Sequence, residues 1–219
     1  MNNQNADITW KDNQTPVATR FDDPYFSLAD GLAETQHVFL AGNRITQRAA
    51  PGFHIAELGF GTGLNLLATA QALAGRSGPV YFTSFEAYPM HAADMARALA
   101  PFTGLDTAPL LAAWSQGLRQ FTLGSLQVEI VMGDARDTLP LWQGKADAWY
   151  LDGFSPAKNP ELWTDTLMAQ VATHTRKGGT FATYTAAGAV RRALATAGFD
   201  VIRQPGFAHK RHMTTGTLS

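Results

Sequence analysis

The chain contains no cysteine. That excludes disulfides, thiolate metal sites and cysteine nucleophiles, and it fits a reducing compartment. Nor does any apolar run approach the roughly 20 residues needed to cross a bilayer, so no membrane partner is expected. The opening Met1-Asn2-Asn3-Gln4-Asn5-Ala6-Asp7 lacks the basic start and apolar stretch of a signal peptide, which points to a cytoplasmic location. His37, His54, His91, His174, His209 and His212 show no ligand spacing, so no metal is expected. Charge is scarce as well: charged residues make up 16% of the chain and the formal net charge is −1.

That small net charge hides an asymmetry. Residues 176–219 hold seven basic side chains against one acid, Asp200, while the rest holds ten basic against seventeen acidic. A basic end on a near-neutral protein either docks a polyanion or simply keeps the surface solvated.

The 219 residues, 45% of them hydrophobic, suffice for a full core. From residue 53 onward, short β-rich runs alternate with helical stretches, the mark of a parallel sheet with crossover helices. Strands are expected at Phe53–Leu58, Val80–Glu86, Leu126–Met132, Ala146–Leu151 and Thr180–Thr185. Helices are expected over Leu64–Ala74, about 90–100, from about Glu161, and over 187–197 up to Gly198. The polar stretch 103–123 reads as irregular with some helix. Phe199–Arg203 and His212–Leu218, with no helix between them, read as an antiparallel hairpin on the sheet edge. Residues 1–52 do not share the alternation. Phe21–Ser27 and Val38–Asn43 read as short strands or ordered loops, forming either a cap over the sheet edge or a wall of a pocket. The division expected is an N-terminal extension, 1–52, packed on the core 53–219, in one domain overall.

In open α/β sheets, ligands bind beyond the carboxyl ends of the strands. Here the first strand ends in Glu57-Leu58-Gly59-Phe60-Gly61-Thr62-Gly63, directly before a helix. Glycines allow close approach of backbone and leave helix N–H groups free to donate. A dinucleotide fingerprint needs a further glycine at position 64, which is leucine. The spacing acid-x-Gly-x-Gly-x-Gly is instead similar to that of class I S-adenosylmethionine-dependent methyltransferases, a Rossmann-like doubly wound α/β fold with a C-terminal antiparallel hairpin. In that setting Gly59, Phe60, Gly61 and Gly63 would cradle S-adenosyl-L-methionine. Glu86, closing the second strand, would accept from both ribose hydroxyls. Asp134, after the third, would reach the adenine amino group. Glu57 would either orient the methionine part or pair inside the core. Asp152 closes the fourth strand. Singly, such acids often only cap helices or open turns; four at successive strand ends behind this loop mark a ligand site.

The resemblance narrows over Phe21-Asp22-Asp23-x-Tyr25-Phe26-Ser27, Gly31-Leu32-x-Glu34-Thr35 and Val38-Phe39-Leu40, over Asp152-Gly153-Phe154-Ser155-Pro156-Ala157-Lys158-Asn159-Pro160 with Trp163, and over Ala187-Gly188-x-Val190-Arg191-Arg192 and Gly206-Phe207-x-x-Lys210-Arg211-x-Met213. From about residue 16 to the end, the chain resembles the tRNA 5-aminomethyl-2-thiouridine methyltransferases, the methyltransferase half of bifunctional MnmC and its stand-alone MnmD relatives. Ser155 departs from the alanine often found there, a small change. The resemblance implies methylation of the primary amine of a wobble-uridine aminomethyl group, with tRNA as partner. A separate or fused FAD-dependent oxidase would act upstream; this chain, closing at Ser219, is expected to hold no FAD and to supply the methylation step alone. A small-molecule N-methyltransferase of the same fold and a non-catalytic S-adenosylmethionine-binding module are the competing readings.

Within that implied reaction Asp152 is the catalytic candidate, stabilising positive charge that develops on the attacking nitrogen. As a base it is weak, because an unperturbed aspartate titrates near ~3.9 and an alkylamine far higher. Phe154 and Pro156 would shape a slot for a flipped base, with Tyr25 and Tyr184 as further residues lining the pocket. Lys158, Lys210 and Arg211 would meet the RNA, the last two from the exposed end of the hairpin. Trp149 and Trp163 read as packing.

Overall fold

The computed structural model describes residues 5–12, 14–27 and 30–219. Residues 1–4, and with them most of the stretch read for a leader, lie outside the described residues, as do residues 13, 28 and 29 of the N-terminal extension. Three short strands open the chain, β1 (Ile8–Lys11), β2 (Thr15–Ala18) and β3 (Asp23–Pro24), paired antiparallel in that order. Arg97 stacks its guanidinium 3.9 Å from the centroid of Trp10, and the Ala6 N–H bonds the Pro89 carbonyl, so this ribbon is tied to the core.

Asp30 then caps α1 (Gly31–Thr35) by accepting from the Ala33 N–H at 2.9 Å. The helix runs on as a widened π-type turn over Gln36–Ala41 before α2 (Ile45–Arg48). Val38–Asn43, expected as a strand or ordered loop, is therefore mostly helical. Its apolar run Val38-Phe39-Leu40 is buried in the core, and Asn43 fixes the exit by donating to the carbonyls of Phe39 and Trp149, both at 3.1 Å. A three-residue apolar run fits either a strand or a buried helical turn, and here the upstream cap decides.

The remaining elements are β4 (His54–Leu58), α3 (Leu64–Ala72), β5 (Val80–Glu86), α4 (Ala92–Leu99), α5 (Ala108–Ser115), β6 (Gln120–Leu123), β7 (Leu126–Met132), α6 (Ala135–Thr138), β8 (Ala146–Leu151), α7 (Asp165–Thr173), β9 (Thr175–Thr183), α8 (Gly188–Thr196), β10 (Phe199–Pro205) and β11 (His212–Leu218). They build an eight-stranded sheet in the order β10-β11-β9-β8-β4-β5-β7-β6. The five central strands are parallel, and the expected C-terminal hairpin pairs antiparallel with β9 at one edge. At the other edge is β6, a strand hidden in the stretch read as irregular. It returns on β7 through Gly124-Ser125, with Leu123 opposite Leu126. Two further boundaries shift. The segment expected as helix from Glu161 begins as a 3-10 turn, Pro160–Trp163, and α7 follows only after the Thr164 cap. β9 starts at Thr175, because a bulge between the Ala146 and Ala148 pairings absorbs the glycines Gly178 and Gly179.

Alternation along the strands feeds two cores. Ile55, Phe82 and Tyr150 face the side covered by α3 and the N-terminal helices, while Leu58, Phe85, Trp149 and Phe181 face α7 and α8. Side chains of this size, fully buried, contribute about 1.5–3 kcal/mol each. The chain leaves β4 toward β5 and β7 on one side and later returns to β8 on the other, so the topological switch lies between β4 and β8. Among the described residues, no helix is long and apolar enough to cross a membrane.

Candidate functional site

At that switch the two strand ends are locked together. The Asp152 N–H bonds the Leu58 carbonyl at 3.1 Å, and the Gly59 N–H bonds the Phe85 carbonyl at 3.0 Å. Gly59 has φ +90°, and a Cβ there would lie 2.4 Å from the Asp152 carbonyl oxygen, so no other residue fits. The loop then turns over Glu86, whose Oε2 accepts from the Gly61 N–H at 2.9 Å and whose Oε1 accepts from the Tyr88 N–H at 2.7 Å. Burial pushes the Glu86 carboxyl up, against these N–H groups, which favour its ionised form. Asp134 caps α6 and forms a fork with Arg136, with a shortest contact of 2.6 Å; that pairing holds its carboxyl below the usual range.

These strand ends border a cavity of about 540 Å³, a size suited to a small-molecule ligand. Its floor is Asp152. Asn65, the second residue of α3, donates from one amide nitrogen to Asp152 Oδ2 at 2.7 Å and to Glu57 Oε1 at 2.8 Å. The Asn65 carbonyl oxygen accepts from the Thr35 hydroxyl at 2.8 Å, so the amide cannot flip without losing bonds. Burial pushes the Asp152 carboxyl up to about 7, and Glu34 pushes the same way, while the bond from Asn65 and the nearby Lys210 oppose. That value is much closer to a working proton acceptor than the unperturbed aspartate assumed from sequence.

The opposite wall is aromatic. Phe154 stacks on Phe21 at 4.8 Å and meets Tyr25 edge-on at 5.1 Å. The Trp163 indole N–H holds the Phe154 carbonyl at 2.8 Å, and the Tyr184 hydroxyl donates to the Gly153 carbonyl at 2.9 Å. The Ser155 N–H reaches back to Asp23 Oδ2 at 2.8 Å, joining the loop after β8 to the N-terminal ribbon. Phe21, Tyr25, Glu34 and Phe39 all line the cavity, so part of the N-terminal segment forms a wall of it.

Of the residues expected from sequence, Tyr25, Gly59, Phe60, Gly61, Glu86, Asp134, Asp152, Phe154 and Lys210 border this cavity. Five do not. Glu57 is fully buried behind the wall, held by Asn65 and by the Ser84 hydroxyl at 2.7 Å, and its carboxyl is pushed well up by burial. Gly63 starts α3 in a left-handed conformation against Leu110 and Phe60. Pro156 is outside the slot. Lys158 instead grips Asp22, through its carbonyl and its carboxylate, and lies 3.8 Å from Asp23. Arg211 remains exposed on the hairpin. Its neighbour Lys210 is not aimed outward as expected: its ammonium bonds Glu34 Oε1 at 2.7 Å. Sequence reasoning passed over Asn65 and gave no role to Glu34, which it met only inside the motif Gly31-Leu32-x-Glu34-Thr35. The signal for Asn65 was a polar residue in the apolar start of α3, whereas the burial of Glu34 shows only in the fold. Among the described residues, no cluster of His, Cys, Asp and Glu is arranged to hold a metal ion.

An open sheet with a parallel centre and a glycine loop at its switch point, backed by strand-end carboxylates, has the form of a small-ligand site in an α/β protein, and comparison with known proteins gives the class. Residues 107–219 match a family described as S-adenosyl-L-methionine-dependent methyltransferase, and the chain belongs to that family. It is 41% identical over 234 residues to the tRNA 5-methylaminomethyl-2-thiouridine biosynthesis bifunctional protein MnmC of Chromobacterium violaceum, covering 100% of this chain and 35% of that protein. The MnmC of Ectopseudomonas mendocina is 43% identical over 97% of this chain and 35% of its own length. The chain thus spans about a third of these curated relatives. Among solved structures, MNMC2 from Aquifex aeolicus superposes with a TM-score of 0.78 at 26% identity, over 100% of this chain and 72% of that one.

Proposed function

We propose that this chain transfers the methyl group of S-adenosylmethionine to the primary amine of 5-aminomethyl-2-thiouridine at the tRNA wobble position, giving 5-methylaminomethyl-2-thiouridine. The observation that carries the reading is the place of Asp152, a half-buried carboxylate at the seam between the glycine loop and the slot of Phe21, Tyr25 and Phe154. The names of the relatives supply the substrate class. On this reading residues 1–52 belong to the substrate wall of one domain with 53–219, and an oxidase acting on the same RNA is a separate or fused partner.

The residues present fit the cofactor. Gly59 and Gly61 border the cavity, and the Glu86 and Asp134 carboxylates stand along it. When bound, S-adenosylmethionine supplies a methyl carbon on a cationic sulfur; the amine lone pair forms the new N–C bond, the S–C electrons stay on sulfur, and the nitrogen then sheds a proton. Asn65 holds Asp152 so that its charge faces the nitrogen that becomes positive, a preorganised stabilisation. With its carboxyl raised to about 7, Asp152 also takes the proton more readily than an ordinary aspartate. Phe154, fixed by Trp163, and Tyr25 form one aromatic wall against which the base packs, and they exclude water there. Incubation with labelled S-adenosylmethionine and tRNA carrying 5-aminomethyl-2-thiouridine, followed by nucleoside analysis, tests this. Label in 5-methylaminomethyl-2-thiouridine is expected; label at any other position, or none, refutes it.

A further inference from the structure

Lys210 lies on the exposed loop between β10 and β11, yet its ammonium is drawn into the cavity. It bonds Glu34 Oε1 at 2.7 Å and sits 4.1 Å from the centroid of the Tyr184 ring. Both receptors are fixed before any ligand arrives. Glu34 is 8% exposed on a capped helix, and the Tyr184 ring is pinned by its hydroxyl bond to Gly153. Asp152 lies within electrostatic reach of Tyr184, Glu34 and Lys210, so the region is a carboxylate-and-π cage suited to one compact cation. A largely buried carboxylate favours a neighbouring cation, and Lys210 supplies one here. The cation now present comes from a loop, the one component able to leave.

We propose that Glu34 and Tyr184 form the docking subsite for the acceptor's primary ammonium, and that Lys210 occupies it only until the substrate replaces it. This rests on the amine-acceptor reading above and deepens it: the cage selects an alkylammonium over a neutral group of the same shape and delivers it next to Asp152, where it gives one proton to solvent water and so frees the lone pair that attacks. Lys210 then swings outward beside Arg211, where both face the incoming RNA.

The test compares binding of two nucleosides, 5-aminomethyluridine and 5-hydroxymethyluridine, by calorimetry with S-adenosylhomocysteine present. If Lys210 holds the subsite most of the time, Lys210→Met should tighten the amine by about tenfold and leave the hydroxyl analogue unchanged. Glu34→Gln should abolish the preference for the amine, alone and combined with Lys210→Met. The subsite is overturned if Lys210→Met weakens the amine, leaves it unchanged or tightens both nucleosides alike, or if the preference survives Glu34→Gln. Lys210 is on an exposed loop, so its result does not depend on the Glu34 variant folding. Wild-type protein that methylates tRNA but fails this comparison loses only the subsite, whereas failure to methylate tRNA removes the proposed function itself.

Discussion

One wall of the cavity is made by the carboxyl ends of β4, β5 and β7, the other by residues 20–27 and 31–39, the loop after β8 and the tip of the β10–β11 hairpin. The first wall is backbone-rich and local. Gly59, Gly61 and Glu86 are held by main-chain N–H bonds set by the sheet register. The second is assembled by side chains from distant segments: Asp23 with the Ser155 N–H, Lys158 with Asp22, Lys210 with Glu34. A wall built on sheet register is rigid and tolerates little change, while a wall of side-chain pairs can open for a macromolecule. The fixed wall suits a small cofactor, the pliable one a large substrate.

The comparison breaks most visibly at Gly59. Gly59→Val combines a positive φ with a Cβ 2.4 Å from the Asp152 carbonyl oxygen, so denaturant unfolding should show a loss of roughly 3 kcal/mol or more. Near-normal stability would show that the strand ends are not locked as described. Glu86→Ala acts on the same wall with less effect on folding. It removes the acceptor of the Gly61 and Tyr88 N–H groups, and calorimetry should find S-adenosylmethionine binding weaker by about 1–3 kcal/mol.

A smaller effect separates function from stability at the seam. The Asp152 carboxyl is raised to about 7 in the folded protein, above its unfolded value near ~3.9. Its contribution to stability is thus complete below that unfolded value and is lost as pH rises through about 7. Asp152→Asn carries no such penalty, so at pH ~8 it should be more stable than wild type by about 1–2 kcal/mol, and the gap should close toward pH ~5. A gap that widens on acidification would reverse the sign. Smallest of all, Lys158→Ala removes a partly exposed pair on the pliable wall and should shift thermal stability by less than about 1 kcal/mol.

The two walls also differ in how far they could be read from sequence. Val80–Glu86, Leu126–Met132 and Ala146–Leu151 have the strand bounds expected, and their terminal or following carboxylates fall at the cavity, because strand period and glycine spacing are local signals. β6 escaped because four residues at a sheet edge carry too little alternation. Val38–Asn43 escaped because a buried helical turn and a buried strand share the same apolar run. On the pliable wall, Phe154 and Tyr25 were found through motif resemblance, whereas Asn65 and Glu34 acquire their roles from partners brought together by the fold. Lys210 reads as solvent-facing at a hairpin tip; only the buried carboxylate of Glu34, distant in sequence, turns it inward.

The most direct test of the account asks whether the two walls do separate jobs that meet at Asp152. S-adenosylmethionine affinity and the single-turnover rate of methyl transfer to tRNA carrying 5-aminomethyl-2-thiouridine should be measured together in wild type and Asp152→Asn. The account predicts unchanged affinity with a rate lower by about a hundredfold or more, the scale expected when one preorganised charge is removed. A near-normal rate in the Asn variant, or affinity and rate falling together, would contradict it.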